Sequence, residues 1–164
     1  MAATTEAAAA RFFSSKAFAV VGASSDPTKF GHKIFTWYTH HSLPVTPINP
    51  SAPSIKAYPA WPSLSLESYP TLPSVSQLPD PSSTGVSIIT PPRVTQKVLE
   101  EAKGLGIKSV WLQPGTWDDG VLQFAREGFE NCVAGDGGAG YEGWCVLVDG
   151  EKAMKDAGRA EGKL

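Results

Sequence analysis

Gly22-Ala23-Ser24-Ser25 stands directly behind the apolar run of residues 17–21, and Gly31 opens the amphipathic stretch that comes next. Residues of these types at this spacing are suited to receiving an anion. Main-chain N–H groups in a tight glycine- and serine-rich turn converge with the positive end of a helix dipole, which makes a ready phosphate site. Ser24 and Ser25 add hydroxyls, Lys29 adds a cation, and Gly31 permits close approach of the backbone. Serines in such a turn also bond their own backbone, so a purely local role competes with ligand contact. Other junctions have the same character: Asn49-Pro50, then Thr90-Pro91-Pro92-Arg93, then Gln113-Pro114-Gly115. Glycines at 135, 137, 138 and 140 surround Asp136 and read as a second anion nest, a lid or a flexible turn.

Covalent and acid–base chemistry is not written into the chain in this way. No nucleophile, base and orienting group stand in a recognisable set, so no catalytic residue is assigned. The three histidines, His32, His40 and His41, fall in or at the end of the first helix after the turn, and only His32 is near the anion site. Cys132 and Cys145 have no histidine beside them and make no metal site. Cys145 follows Trp144 in an apolar run and is expected to be buried and inert. Trp111, Trp117 and Trp144 read as core and loop anchors.

The elements that must position these residues follow from hydrophobic spacing. An uninterrupted apolar run at 17–21 is the pattern of a strand covered on both faces. Ile34, Phe35, Trp37 and Tyr38 give residues 30–41 one broad apolar side, so a helix follows the turn. Residues 43–48 read as a second strand, kept short by Pro44 and Pro47. Residues 51–83 are proline-rich with little periodicity. They predict a long loop with one helical turn near 63–67, pinned by Trp61, Leu64, Leu66, Tyr69, Leu72, Val75 and Leu78. Strands at 86–90, 107–112 and 131–134 then alternate with helices at 93–103 and after Asp118. The charged tail after Asp149 reads as a solvated helix or frayed end. This alternation predicts an α/β protein, a Rossmann-like doubly wound parallel sheet of about five strands in three layers. The polar junctions above then collect at the carboxyl edge of the sheet, where such folds bind ligands.

Length and composition set bounds on what the chain does. A chain of 164 residues, 41% hydrophobic, suits a single domain over 1–164. A net charge of −2 with no basic stripe speaks against nucleic acid. No apolar run approaches the roughly 20 residues that span a bilayer, so no membrane partner is expected. The Ala- and Ser-rich start with Arg11 and Lys16 imitates a mitochondrial transit peptide. Glu6 and its direct abutment on the first strand favour a first helix instead, capped by Thr4 or Thr5, with Phe12 and Phe13 on the sheet. Two cysteines without a secretory signal point to a reducing, cytoplasmic setting, with the mitochondrion as the minor alternative. The expected partner is a small nucleotide cofactor, with a homodimer or a further protein partner left open.

A nicotinamide dinucleotide fits the topology but not the residues. Gly22-Ala23-Ser24 has one glycine where the usual fingerprint has two, and Ile48-Asn49-Pro50 lacks the acidic residue that would accept from a ribose. A different resemblance runs through the chain from about residue 16 to 136. Val20-Val21-Gly22-Ala23-Ser24-Ser25-Asp26-Pro27, Pro47-Ile48-Asn49-Pro50, the stretch 57–64, Thr90-Pro91-Pro92 and Val110-Trp111-Leu112-Gln113-Pro114-Gly115 stand in the order and spacing of the small stand-alone CoA-binding domain family. That family is similar to the CoA-binding domain of the succinyl-CoA synthetase alpha subunit.

The resemblance implies CoA or acyl-CoA as ligand, with NAD(P) the weaker alternative. Gly22, Ala23, Ser24 and Ser25 would take the phosphates, with Lys29 as counter-charge and Gly31 for close approach. Asn49 and Pro50 would flank the adenosine. Thr90, Pro91, Pro92 and Arg93 would line the adenine or pantetheine path, and Gln113 and Gly115 the far wall. The family carries a basic residue just after its Asn-Pro pair, whereas here Ser51 follows and the first cation is Lys56, so a weakened hold on the 3′-phosphate is expected. Asp136 and Cys145 fall opposite the family's closing Asp and Cys, across a glycine-rich insert. A non-catalytic binding, sensor or regulatory module follows. An NAD(P)-binding oxidoreductase-like protein or a CoA-ligase-like subunit lacking its partner is the alternative.

Overall fold

The computed structural model describes residues 3–60 and 62–159, so Trp61 and the extreme tail lie outside the described residues. Seven strands and five α-helices follow in order. They are α1 (Glu6–Phe12), β1 (Ala17–Val21), α2 (Phe30–His40), β2 (Val45–Ile48), β3 (Ser54–Ala57), β4 (Glu67–Pro70), β5 (Thr84–Ile88), α3 (Pro92–Gly104), β6 (Ser109–Leu112), α4 (Asp119–Gly128), β7 (Asn131–Val133) and α5 (Val146–Asp156). Five strands form one sheet in the order β2-β1-β5-β6-β7, every pair parallel. Successive residues of a strand face opposite sides, so β1 sends Phe18 and Val20 to one core and Ala19 and Val21 to the other. The first core lies under α1, α2 and α5, the second under α3 and α4. This is the three-layer Rossmann-like sandwich that the alternation predicts.

Thr5 is the cap of α1, its side chain accepting from the Ala8 amide at 3.2 Å. Phe12 and Phe13 are fully buried in an aromatic cluster with Phe18, Tyr38 and Trp111, ring centroids 5.3–6.5 Å apart. Such pairs contribute about 0.5–1.5 kcal/mol each beyond the area they bury. Pro47 sits in β2 without breaking a ladder. Its carbonyl accepts from the Leu72 amide on the outer edge, so its missing N–H also faces outward. Leu72 in turn accepts from Asn49 and so lines the outer edge of β2. At the far edge the Thr4 hydroxyl donates to the Ala134 carbonyl (2.7 Å) and accepts from the Ala134 amide (3.0 Å).

Three expectations need correction. The helical turn near 63–67 is absent; residues 67–70 instead form β4, antiparallel to β3. Ile55 and Ala57 bury one face of this hairpin and Tyr69 packs edge-on against Phe35 at 5.1 Å. Leu64 and Leu66 do not pin the loop: both are exposed, and Val75 and Leu78 do the anchoring. The described part of the tail after Asp149 is helical but not wholly solvated, with Glu151, Lys152, Lys155 and Asp156 exposed and one side buried. Residues 150–156 belong to α5, whose buried Val146, Asp149, Gly150, Ala153 and Met154 form a helical stripe, with Gly150 lying flat against the Trp37 ring. Among the described residues no helix is long and apolar enough to cross a membrane.

Candidate functional site

The chain leaves β1 through α2 toward β2 on one side, and leaves β5 through α3 toward β6 on the other. The carboxyl ends of β1 and β5 are therefore the topological switch point of the sheet. Gly22 turns the chain there at φ +98°, and a Cβ on it would run into the Ile89 carbonyl. A Cβ at Gly31 would overlap the Gly22 carbonyl oxygen. Only glycine at both places lets α2 begin pressed against the end of β1.

The turn between them has its carbonyls held from below. Asn49 donates from Nδ2 to the Ala23 carbonyl at 3.0 Å, and His32 Nδ1 lies 2.9 Å from the Ser24 carbonyl. With the carbonyl as its only acceptor, that His32 nitrogen carries the proton. In a trans peptide C=O and N–H point in opposite directions. Fixing these two carbonyls inward therefore aims the Ser24 and Ser25 amides outward, and neither has an acceptor among the described residues. Asn49 is itself fixed, its Oδ1 accepting from Ser51 (2.8 Å) and Ala52 (3.1 Å).

The two helices that start at the switch point itself, α2 and α3, lack a side-chain cap. Lys29 precedes α2 and Pro91 precedes α3 with no capping bond, and neither first turn carries an acid. Thr5 caps α1 and Asp118 caps α4, whereas α5 also starts without a side-chain cap at Cys145. Two uncapped N-termini at the switch point leave positive dipole ends for an anion. Lys29, Arg93 and Pro50 are exposed around them, as is Pro91.

The serine hydroxyls do local work. Ser24 Oγ accepts from the Asp26 amide at 3.0 Å, and Ser25 Oγ accepts from the Lys56 amide at 2.9 Å. Asp26 closes the turn by accepting from the Thr28 amide and hydroxyl, which hold its carboxyl below the usual range. The Ser25 bond brings β3, and with it the exposed Lys56, alongside the turn. Lys56 is not readable as a site residue from sequence spacing, and His32 is readable only as the histidine near the anion site, not as the partner of the Ser24 carbonyl. Their partners lie across the fold, and only the Asn49–Ser51–Ala52 turn leaves a local trace.

Further residues named from the sequence are spread more widely. Thr90 shares a hydroxyl contact of 2.8 Å with Thr95 and lies half-buried under the start of α3, where Pro92 is the first helical residue. Gln113 is buried and both ends of its amide are engaged: Nε2 donates to Ser87 Oγ at 2.8 Å and Oε1 accepts from the Val146 amide at 2.9 Å. It fastens the first turn of α5 to the sheet. Gly115 is exposed at φ +85° with open space around it. The loop after β7 is drawn onto α5, because Asp149 accepts from the Ala139 (2.8 Å) and Cys145 (3.0 Å) amides. Burial pushes the Cys145 thiol upward and the Cys132 thiol up to about 12.

Solved structures share this architecture. A hypothetical protein from Pyrococcus horikoshii OT3 superposes with a TM-score of 0.70 at 24% identity, covering 92% of this chain and 93% of that one. A protein from Thermus thermophilus gives 0.69 at 20% identity, covering 92% and 99%. A conserved hypothetical protein from Pyrococcus furiosus gives 0.58 at 28% identity, covering 71% and 91%. Among curated proteins none matches the chain. A family model described as the CoA binding domain matches residues 16–144, the span that holds the outward-facing turn and the helices α2 and α3, and to this family the chain belongs.

Proposed function

We propose that the chain binds CoA or an acyl-CoA at the carboxyl edge of its sheet and acts as a non-catalytic module that senses or carries the ligand. The observation that carries this reading is the outward pair of amides at Ser24 and Ser25, held by Asn49 and His32 beside two uncapped helix N-termini. Donors without acceptors and positive dipole ends suit a pyrophosphate. Gly22, Ala23, Ser24, Ser25 and Gly31 would hold it, with Lys29 and Arg93 as exposed counter-charges. Asn49 and Pro50 would flank the adenosine, and Thr90, Pro91 and Pro92 the arm that follows, with Gly115 beyond them. Gln113 would support that wall from within through Val146. Lys56, which β3 brings to Ser25, would meet the 3′-phosphate in place of the basic residue missing after Pro50.

Bound CoA supplies a thiol for thioester chemistry. The chain's own groups favour holding it over reacting with it: His32 is spent on the Ser24 carbonyl, and both cysteine thiols are pushed toward their protonated form by burial. The free cysteines suit a reducing compartment such as the cytoplasm. Calorimetric titration with CoA, dephospho-CoA, NAD and NADP tests the reading. CoA is expected to bind most tightly; heat only with NAD or NADP, or with none of the four, would overturn it.

A further inference from the structure

At the amino edge of the sheet, opposite the Gly22 turn, lies a second polar cleft of about 330 Å³. Arg11, Lys16 and Lys108 converge on it, with Glu130 the opposing charge in its lining. Ser14 and Ser82 bring exposed hydroxyls to the same walls. This is a local excess of positive charge in a chain whose net charge is −2.

The fold gives Lys16 and Lys108 no side-chain partner among the described residues and Arg11 a single one. The last carbonyls of α1 are already satisfied: Ala10 and Arg11 accept from Phe13 and Ser14, both at 3.0 Å. Arg159 donates from Nε to the Phe13 carbonyl and from Nη2 to the Ser15 carbonyl, each at 2.6 Å. Arg11 commits Nε to Asn131 Oδ1 at 3.2 Å, and no bond of its Nη groups is made among the described residues. Asn131 is buried and anchored in turn on the Ala8 carbonyl and Ser109 Oγ. Neither Lys16 nor Lys108 makes an ion pair among the described residues. A guanidinium with one nitrogen committed, two ammonium groups without an ion pair among the described residues and the Ser14 hydroxyl suit the charge and acceptors of a phosphate group. The Ser82 hydroxyl is donated to Asp80 Oδ1 at 3.3 Å.

We propose that this cleft binds a phosphate group carried by a small metabolite, at a site separate from the carboxyl edge. The volume exceeds what one phosphate fills, which leaves room for a short carbon skeleton. Amide-resolved NMR titration of the full chain with inorganic phosphate and with glycerol phosphate tests it, each against chloride at matched ionic strength. Saturable shifts are expected at Lys16, Ser83, Thr84 and Lys108. Tighter binding of the ester assigns the site to a phosphorylated metabolite, and equal binding assigns it to free phosphate. In the Lys16→Gln/Lys108→Gln variant the affinity should drop about tenfold while the melting temperature stays nearly constant, since both side chains are exposed. Shifts that match chloride, that map to Gly22 and Gly31 instead, or that survive the double substitution would overturn the proposal. Lys108→Gln alone, which leaves the residue before β1 untouched, repeats the test if the double variant is unstable.

Discussion

In the proposed ligand site, an ammonium on β3 would tell CoA from dephospho-CoA. Replacing Lys56 by Ala should weaken CoA binding about tenfold, the scale of one charge-assisted contact, and leave dephospho-CoA unaffected. Equal losses for both ligands in calorimetry would remove Lys56 from phosphate recognition. Gln113 answers to a different measurement. Gln113→Leu strands the Val146 amide and a Ser87 hydroxyl partner in the interior, so urea unfolding should show a loss of about 1–3 kcal/mol. CoA affinity of the folded variant should barely move, and a large affinity loss without a stability loss would reassign Gln113 to direct ligand contact. The residues of the turn were legible because glycine, serine and asparagine behind an apolar run each carry a local conformational meaning. The role of Lys56 and the partner of His32 were not, because a lysine or histidine acquires its role from a partner that only the fold supplies. The engagement of the Ser24 and Ser25 hydroxyls on Asp26 and Lys56 leaves the outward donors to the main chain, a division of labour invisible in the residue types.

The decisive element is α2 and the way it is seated. Because the Gly31 α-carbon abuts the Gly22 carbonyl, Gly31→Ala must push the helix off the end of β1. Overpacking of this kind costs about 1–3 kcal/mol in denaturant unfolding, and CoA affinity should fall with it. Gly104→Ala is the matching control, since open space surrounds Gly104 at the end of α3; it should leave stability unchanged or raise it by about 0.4–1 kcal/mol. An equal loss at both positions would remove the seating argument. At this scale the sequence is informative wherever one strand feeds one helix, as in β1 to α2 and β5 to α3. It is less so for the β3–β4 hairpin, where prolines flank strands of four residues and only Ser54 to Ala57 alternates. The stripe of α5 includes a buried acid and a glycine, so a count of apolar positions alone passes over it.

Across the whole molecule, stability should respond to alkaline pH. Burial raises the Tyr38 phenol above its ordinary 10.0 and the Cys132 thiol from 9.0 to about 12. Each keeps its proton in the fold after the unfolded chain has lost it, so their contribution is complete below pH 9 and declines as pH rises from there. Urea midpoints measured from about pH 8 to about pH 11 should fall, and the fall should be shallower in a Tyr38→Phe/Cys132→Ala variant. A flat profile in the parent chain would contradict this. The treatment of the sheet's two borders has a further outcome for the molecule in bulk. Leu72 occupies the outer side of β2 and Thr4 the end of β7. A bare border strand is a template for adding a strand from another chain, which is how native proteins begin to form fibres. Here that template is filled by the chain itself, so crowding many copies together should favour contact through helices and loops over growth of a continuous sheet.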